Sequence, residues 1–134
     1  MKIPAYFCAA YRGPAGEDAT EQRIEANVMR ALGVASAIKT CFPSIELFVP
    51  HINQELLHRC WLKKYVRSSQ IIEVCCEMAA EKRLILVLEP ISAGMKEEIE
   101  YACCYPPKDV VYFDEWNIAA EDAIAQAIAK CKEY

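Results

Sequence analysis

No C-x-x-C pair occurs anywhere in this chain, although eight of its 134 residues are cysteine. The two vicinal pairs, Cys75-Cys76 and Cys103-Cys104, do not offer zinc two ligands each with ease, so no metal is expected. Met1 leads almost directly into what reads as a buried strand, without a signal-peptide pattern. The expectation is therefore a cytoplasmic protein whose cysteines are small buried hydrophobes rather than a disulfide framework. Long apolar runs are missing too: Leu84 to Leu88 falls far short of the roughly 20 residues that span a bilayer, which excludes a membrane segment. Basic clusters are also missing. The formal charge is −4 with Lys and Arg scattered, which argues against a nucleic-acid polymer as partner. Neither G-x-x-x-x-G-K-[ST] nor G-x-G-x-x-G is present, which disfavours a P-loop nucleotidase or a dinucleotide enzyme.

What is present is a hydrophobic pattern long enough for one domain spanning residues 1–134, with no linker, repeat or low-complexity tract. Ile3 to Ala10 reads as a strand buried on both faces. Asp18 and Glu21 suggest a capping box, followed by Ile24, Val28, Ala31, Leu32, Ala35 and Ile38 at helical spacing. Ile45 to Val49 reads as a second strand, and Leu56 to Tyr65 as a short amphipathic helix. Ser68 or Ser69 would cap a helix carrying Ile71, Ile72, Cys75 and Met78. Arg83 to Leu88 is the clearest strand. Gly94 is expected to permit a sharp turn into a helix through Glu98 to about Cys104, ended by Pro106-Pro107. Val110 to Phe113 makes a fourth strand, and Ile124, Ile128 and Cys131 mark a closing helix. Such alternation predicts an α/β, flavodoxin-like or Rossmann-like three-layer sandwich around a parallel sheet of four or five strands.

In an open parallel sheet the ligand crevice lies at the carboxyl ends of the strands. That principle directs attention to Tyr11-Arg12-Gly13, Pro50-His51, Glu89 to Met95, and Asp114-Glu115-Trp116. Ser92-Ala93-Gly94-Met95 puts a hydroxyl and backbone N–H groups at a helix start, where the orphan donors favour an anion. Glu98, expected in the first turn of that helix, can look back over the crevice as a nucleophile, or can serve there simply as a dipole partner. Glu97 and Glu100 point elsewhere on the wheel. Arg12 suits bidentate anion binding, and equally an ordinary solvent-facing role. His51 suits proton transfer or a plain surface position. Asn27 either reaches the site or satisfies a buried polar contact, and Trp116 walls the pocket or a subunit contact.

Tyr6-Phe7-Cys8 followed by Arg12-Gly13, together with Ser92-x-Gly94 and Glu98-Ile99-x-x-Ala102, resembles the nucleoside 2-deoxyribosyltransferase superfamily. The nearest likeness is to its branch of 2′-deoxynucleoside 5′-monophosphate N-glycosidases and related small phage and bacterial proteins. The likeness covers roughly residues 3 to 104. It implies that Glu98 attacks the anomeric carbon, that Tyr6 sits beside it and tunes it, and that no cofactor takes part. It further implies that Ser92, Arg12 and the backbone near Gly13 and Gly94 face a 5′-phosphate, and that the protein is a homodimer or larger homo-oligomer acting on a small nucleoside or nucleotide; Met95 and His51 complete the expected substrate-binding set. A second carboxylate is implied near the start of the third strand or on the helix before it. Lys82 and Arg83 lead the strand instead, so Glu73 or Glu77 on the preceding helix could replace it, although surface charge explains each of them more simply. The expected activity is hydrolysis or exchange of an N-glycosidic bond. The competing expectation is a non-catalytic module that binds a nucleotide-derived ligand in the same crevice. A receiver-like or phosphatase domain would need an acidic cluster after the first strand, and Tyr11-Arg12-Gly13 offers none.

Overall fold

The computed structural model of the chain describes residues 2–11, 18–51 and 68–132, with the side chains of residues 68–72 also outside the description. Arg12, Gly13 and the helix expected over Leu56 to Tyr65 therefore lie outside the described residues. In chain order the elements are β1 (Ile3–Cys8), α1 (Glu21–Cys41), β2 (Ile45–Phe48), α2 (Ser68–Ala80), β3 (Leu84–Leu88), α3 (Ala93–Cys103), β4 (Asp109–Phe113) and α4 (Ile118–Cys131).

The four strands are all parallel and run in the order β2-β1-β3-β4. Ile3 aligns with Ile45, Ala5 with Leu84, and Leu84 with Asp109. The expected α/β three-layer sandwich is present, and the alternation of apolar strands with amphipathic helices is its physical cause. Every residue of β3 is buried, because it is a central strand covered on both faces. Odd and even positions of the central strands feed two separate cores. Ala5, Phe7, Leu84, Leu86 and Leu88 pack with α1 and α4. Tyr6, Cys8, Ile85 and Val87 pack with α2 and α3, through Cys75, Ala79, Met95, Ile99 and Ala102.

Three details differ from the reading of the sequence. Of the described cysteines, Cys8, Cys75, Cys76 and Cys131 are buried as expected, but Cys41, Cys103 and Cys104 are exposed, because they fall at the C-terminal ends of α1 and α3, outside the sheet-facing stripes of those helices. Thr20, not Asp18, caps α1: its hydroxyl accepts from the Arg23 N–H at 3.1 Å, with φ −74° and ψ 157° giving the extended geometry a cap needs. Gly94 is the second residue of α3 rather than its turn, since Ser92 already serves as N-cap. Glu98 consequently lies in the second turn of α3, past the reach of a helix-start dipole partner.

Candidate functional site

A 2-1-3-4 order places its topological switch between β1 and β3: the chain leaves β1 toward one sheet edge and β3 toward the other. The crevice there is the favoured ligand position of such sheets. Cys8 ends β1, and Glu98 hangs from the helix that follows β3. On α3, Met95, Ile99 and Ala102 form the buried stripe at helical spacing, and Glu98 stands three residues from Met95 on that same side. A carboxylate thus occupies a position on the sheet-facing side of the helix. Glu97 and Glu100 are exposed, as their places on the wheel predict.

The groups around Glu98 supply protons rather than positive charge. Cys8 Sγ lies 3.2 Å from Glu98 Oε2. Tyr6, two residues earlier on β1 and hence on the same face, is completely buried, stacks on Phe48 at 5.9 Å, and leaves its hydroxyl without a hydrogen-bond partner. Burial, reinforced by the nearby Glu98 charge, pushes the Tyr6 phenol well above its ordinary value. The same two causes push Cys8 far up and Cys75 up to about 11. Glu98 itself is raised from 4.5 to about 7: burial dominates, the neighbouring Cys8 and Tyr6 protons oppose it, and Glu97 adds repulsion. Among the described residues no ion pair neutralises it. The arrangement is a desolvated carboxylate poised near neutrality and bordered by three weak acids that all keep their protons.

Ser92 and Met95 form a reciprocal cap. The Ser92 hydroxyl accepts from the Met95 N–H at 3.3 Å, while the Ser92 N–H approaches Met95 Sδ at 3.4 Å. A hydroxyl used as acceptor still has its own proton to donate. Met95 is buried in the α2/α3 core, and Gly94 lies partly exposed on the first turn with open space where a Cβ would project. His51 is buried, and its Nε2–H donates to the Ala10 carbonyl at 3.0 Å, while Nδ1 has no partner. Burial lowers its pKa despite that bond, so the ring is held neutral.

Asn27 takes the second of its expected roles, since its Nδ2 donates to the Tyr11 carbonyl at 2.9 Å and ties the loop after β1 to α1. Trp116 packs edge-on against Phe42 and Phe113 in the α1/α4 core, away from Glu98. Glu73 and Glu77 are both exposed. A cavity of about 400 Å³ lined by Leu32, Ala35, Ser36, Lys39, Thr40 and Val49 lies beside α1, on the opposite side of the sheet from Glu98. Among the described residues no group of three His, Cys, Asp or Glu side chains is arranged to hold a metal ion, and no helix is long and apolar enough to cross a membrane.

Sequence reasoning missed Cys8 and Arg30. Strand alternation carried the signal for Cys8, which shares a face with Tyr6 at the carboxyl end of β1. Arg30, one turn from Asn27, donates through Nη2 to the carbonyls of Glu89 and Asp114, at 3.0 and 2.5 Å, and so fastens the loops after β3 and β4 to α1. Comparison with protein-family models, with curated proteins and with solved structures finds no match to this chain.

Proposed function

We propose that this chain cleaves or exchanges the N-glycosidic bond of a deoxynucleoside or deoxynucleoside 5′-monophosphate, with Glu98 as nucleophile. The single observation that carries this reading is the Glu98 carboxylate, without a cationic partner among the described residues, at the β1/β3 switch point. A glycosidic centre that loses its base develops oxocarbenium-like positive charge, and a desolvated carboxylate beneath it stabilises that charge strongly. In the proposed reaction a Glu98 oxygen bonds to the anomeric carbon while the base departs with the electron pair of the C–N bond. Water then hydrolyses the glycosyl ester to free sugar or its 5′-phosphate, or a second base captures the sugar. Tyr6, beside the carboxylate and held protonated, offers its unpartnered hydroxyl to the carboxylate or to the sugar. The α3 start at Ser92 and Gly94 faces the same strand ends and suits a 5′-phosphate. Because Glu98 titrates near 7, kcat/KM is expected to rise as pH climbs through about that value.

The test is base release, followed by chromatography, from a panel of ribo- and deoxynucleosides and their 5′-monophosphates, with Glu98→Ala run in parallel. Release by the wild type, reduced by several orders of magnitude in the variant, supports the reading and names the substrate.

The exposure of Glu73 and Glu77 favours a second reading, because neither is positioned as a second carboxylate to assist the leaving base. On that reading the crevice binds a nucleotide-derived ligand without turnover. A nucleotide that raises the melting temperature while no base is released from any substrate would establish it in place of the first.

A further inference from the structure

We infer that Cys8 is a positioning residue: its thiol proton fixes Oε2 of Glu98 and so presents Oε1 to the ligand. The inference deepens the proposed reaction and rests on Glu98 being the carboxylate that meets substrate.

The geometry selects this one bond. Cys8 Sγ has two oxygen acceptors in range, Glu98 Oε2 at 3.2 Å and the Met95 carbonyl at 3.9 Å. The Met95 carbonyl lies inside α3, where the helical i→i+4 pattern already engages it, so the thiol proton belongs with the carboxylate. Cys8 is 1% exposed on a central strand, and Glu98 comes from a helix packed on that strand's face. The contact therefore joins two elements whose relative position is set by the core, and the side chains inherit that rigidity. A carboxylate has two equivalent oxygens and rotates freely unless one of them is held. Holding Oε2 fixes the plane of the carboxylate and with it the directions of the Oε1 lone pairs, which reduces the misoriented population at the reacting atom.

The chemistry suits a donor and not a second nucleophile. Burial and the Glu98 charge both keep the thiol protonated, so Cys8 contributes a neutral S–H across the working pH range. A thiol is also a weak donor, which leaves Glu98 basic where a hydroxyl would draw its titration downward. The other titratable groups facing this pair are Tyr6 on β1, Cys75 and Cys76 on α2, Glu97 on α3 and Tyr112 on β4. Each of them stays in place when Cys8 alone is changed.

Two variants, Cys8→Ala and Cys8→Ser, test the assignment, with far-ultraviolet circular dichroism confirming that both fold. The Glu98 midpoint is read directly by ¹³C NMR of the side-chain carboxyl, assigned by its loss in Glu98→Gln, and the pH profile of base release is recorded beside it. Cys8→Ala is expected to move the midpoint up by about half to one pH unit and Cys8→Ser to move it down by a similar amount. Cys8→Ala should also lower kcat about tenfold with KM nearly unchanged, and Cys8→Ser should restore most of that loss. Midpoints that stay at the wild-type value in both variants overturn the inference, as does full kcat in Cys8→Ala. Midpoints that move as expected in a protein that releases no base support the Cys8–Glu98 pairing and remove the glycosidase reading alone.

Discussion

Replacing Glu98 by Gln should make the protein more stable in alkaline solution and leave it almost unchanged in acid. The carboxyl of Glu98 titrates at about 7 in the folded chain against 4.5 for an unperturbed group. At about 1.4 kcal/mol per pH unit, this difference amounts to about 3 kcal/mol of destabilisation once the group is ionised. A raised carboxyl favours folding while it is protonated, so the contribution is fully present below pH 4.5 and is lost as pH rises through about 7. Glutamine keeps the shape without the charge, and its stability should not decline over that window. Urea unfolding of both proteins near pH 4.5 and at about pH 8 isolates the effect, because all other titrating groups are common to both. The Gln variant should gain about 2 to 3 kcal/mol over wild type at the higher pH, or about 10 °C in Tm for a chain of this size. A difference that does not change with pH, or a Gln variant less stable than wild type at about pH 8, would refute the claim that Glu98 is held against its desolvation penalty.

Asp109→Asn removes the carboxylate that Arg83 contacts at 2.8 Å and Lys130 at 3.2 Å, and should destabilise by about 2 to 3 kcal/mol at neutral pH by chemical denaturation. Burial pushes Asp109 up, but Lys130 and Arg83 together bring it below its ordinary 3.8, so wild type keeps its advantage above that value and loses it as pH falls further. Gly94→Ala places a methyl where nothing lies within 4 Å, on a helical residue, and should raise stability by up to about 1 kcal/mol; unchanged affinity for a 5′-monophosphate in the same protein would argue against backbone approach of phosphate at that turn. Binding of a protonated iminosugar at about pH 6 should release close to one proton, measured by calorimetry in buffers of different ionisation enthalpy, and almost none at about pH 8; equal release at both would show that Glu98 does not meet the cation.

The strands and helices were legible because apolar residues alternate between continuous runs and helical spacing: Leu84 to Leu88 is buried at every position, and α1 buries Ala31, Ala35 and Ile38 as read. Boundaries were less legible. Asp18 and Thr20 are both capable N-caps, and only the local backbone selects Thr20. Gly94 suggested a turn because glycine so often makes one, yet Ser92 begins the helix two residues earlier. At the site, the helical wheel distinguished Glu98 from Glu97 and Glu100. The roles of Cys8 and Arg30 depend on contacts between residues 90 and 59 positions apart, which no local pattern encodes. Glu73 and Glu77 share a helix with the buried Cys75 and Cys76 but face outward, a distinction that depends on which side of α2 meets the sheet.

An ionisable residue on the buried side of a helix, where Met95 and Ile99 show that apolar side chains pack well, lowers stability unless something arrives to use its charge. The neighbours of Glu98 sharpen that point. An arginine or lysine beside it would settle the charge permanently and hold the carboxyl below its ordinary range. Cys8, Tyr6 and Cys75 instead keep their protons near neutral pH, so none of them neutralises the carboxylate, and Cys8 alone holds one of its oxygens. The buried, unpartnered Tyr6 hydroxyl adds a second unfavourable group at the same place, worth about 1 to 3 kcal/mol when left unsatisfied. Two such penalties within one contact shell, in an otherwise well-packed core, match a site that is completed by a ligand combining positive or developing positive charge with an oxygen able to accept from the phenol. A sugar at the point of losing its base combines both, and that match joins the stability of this core to the proposed chemistry.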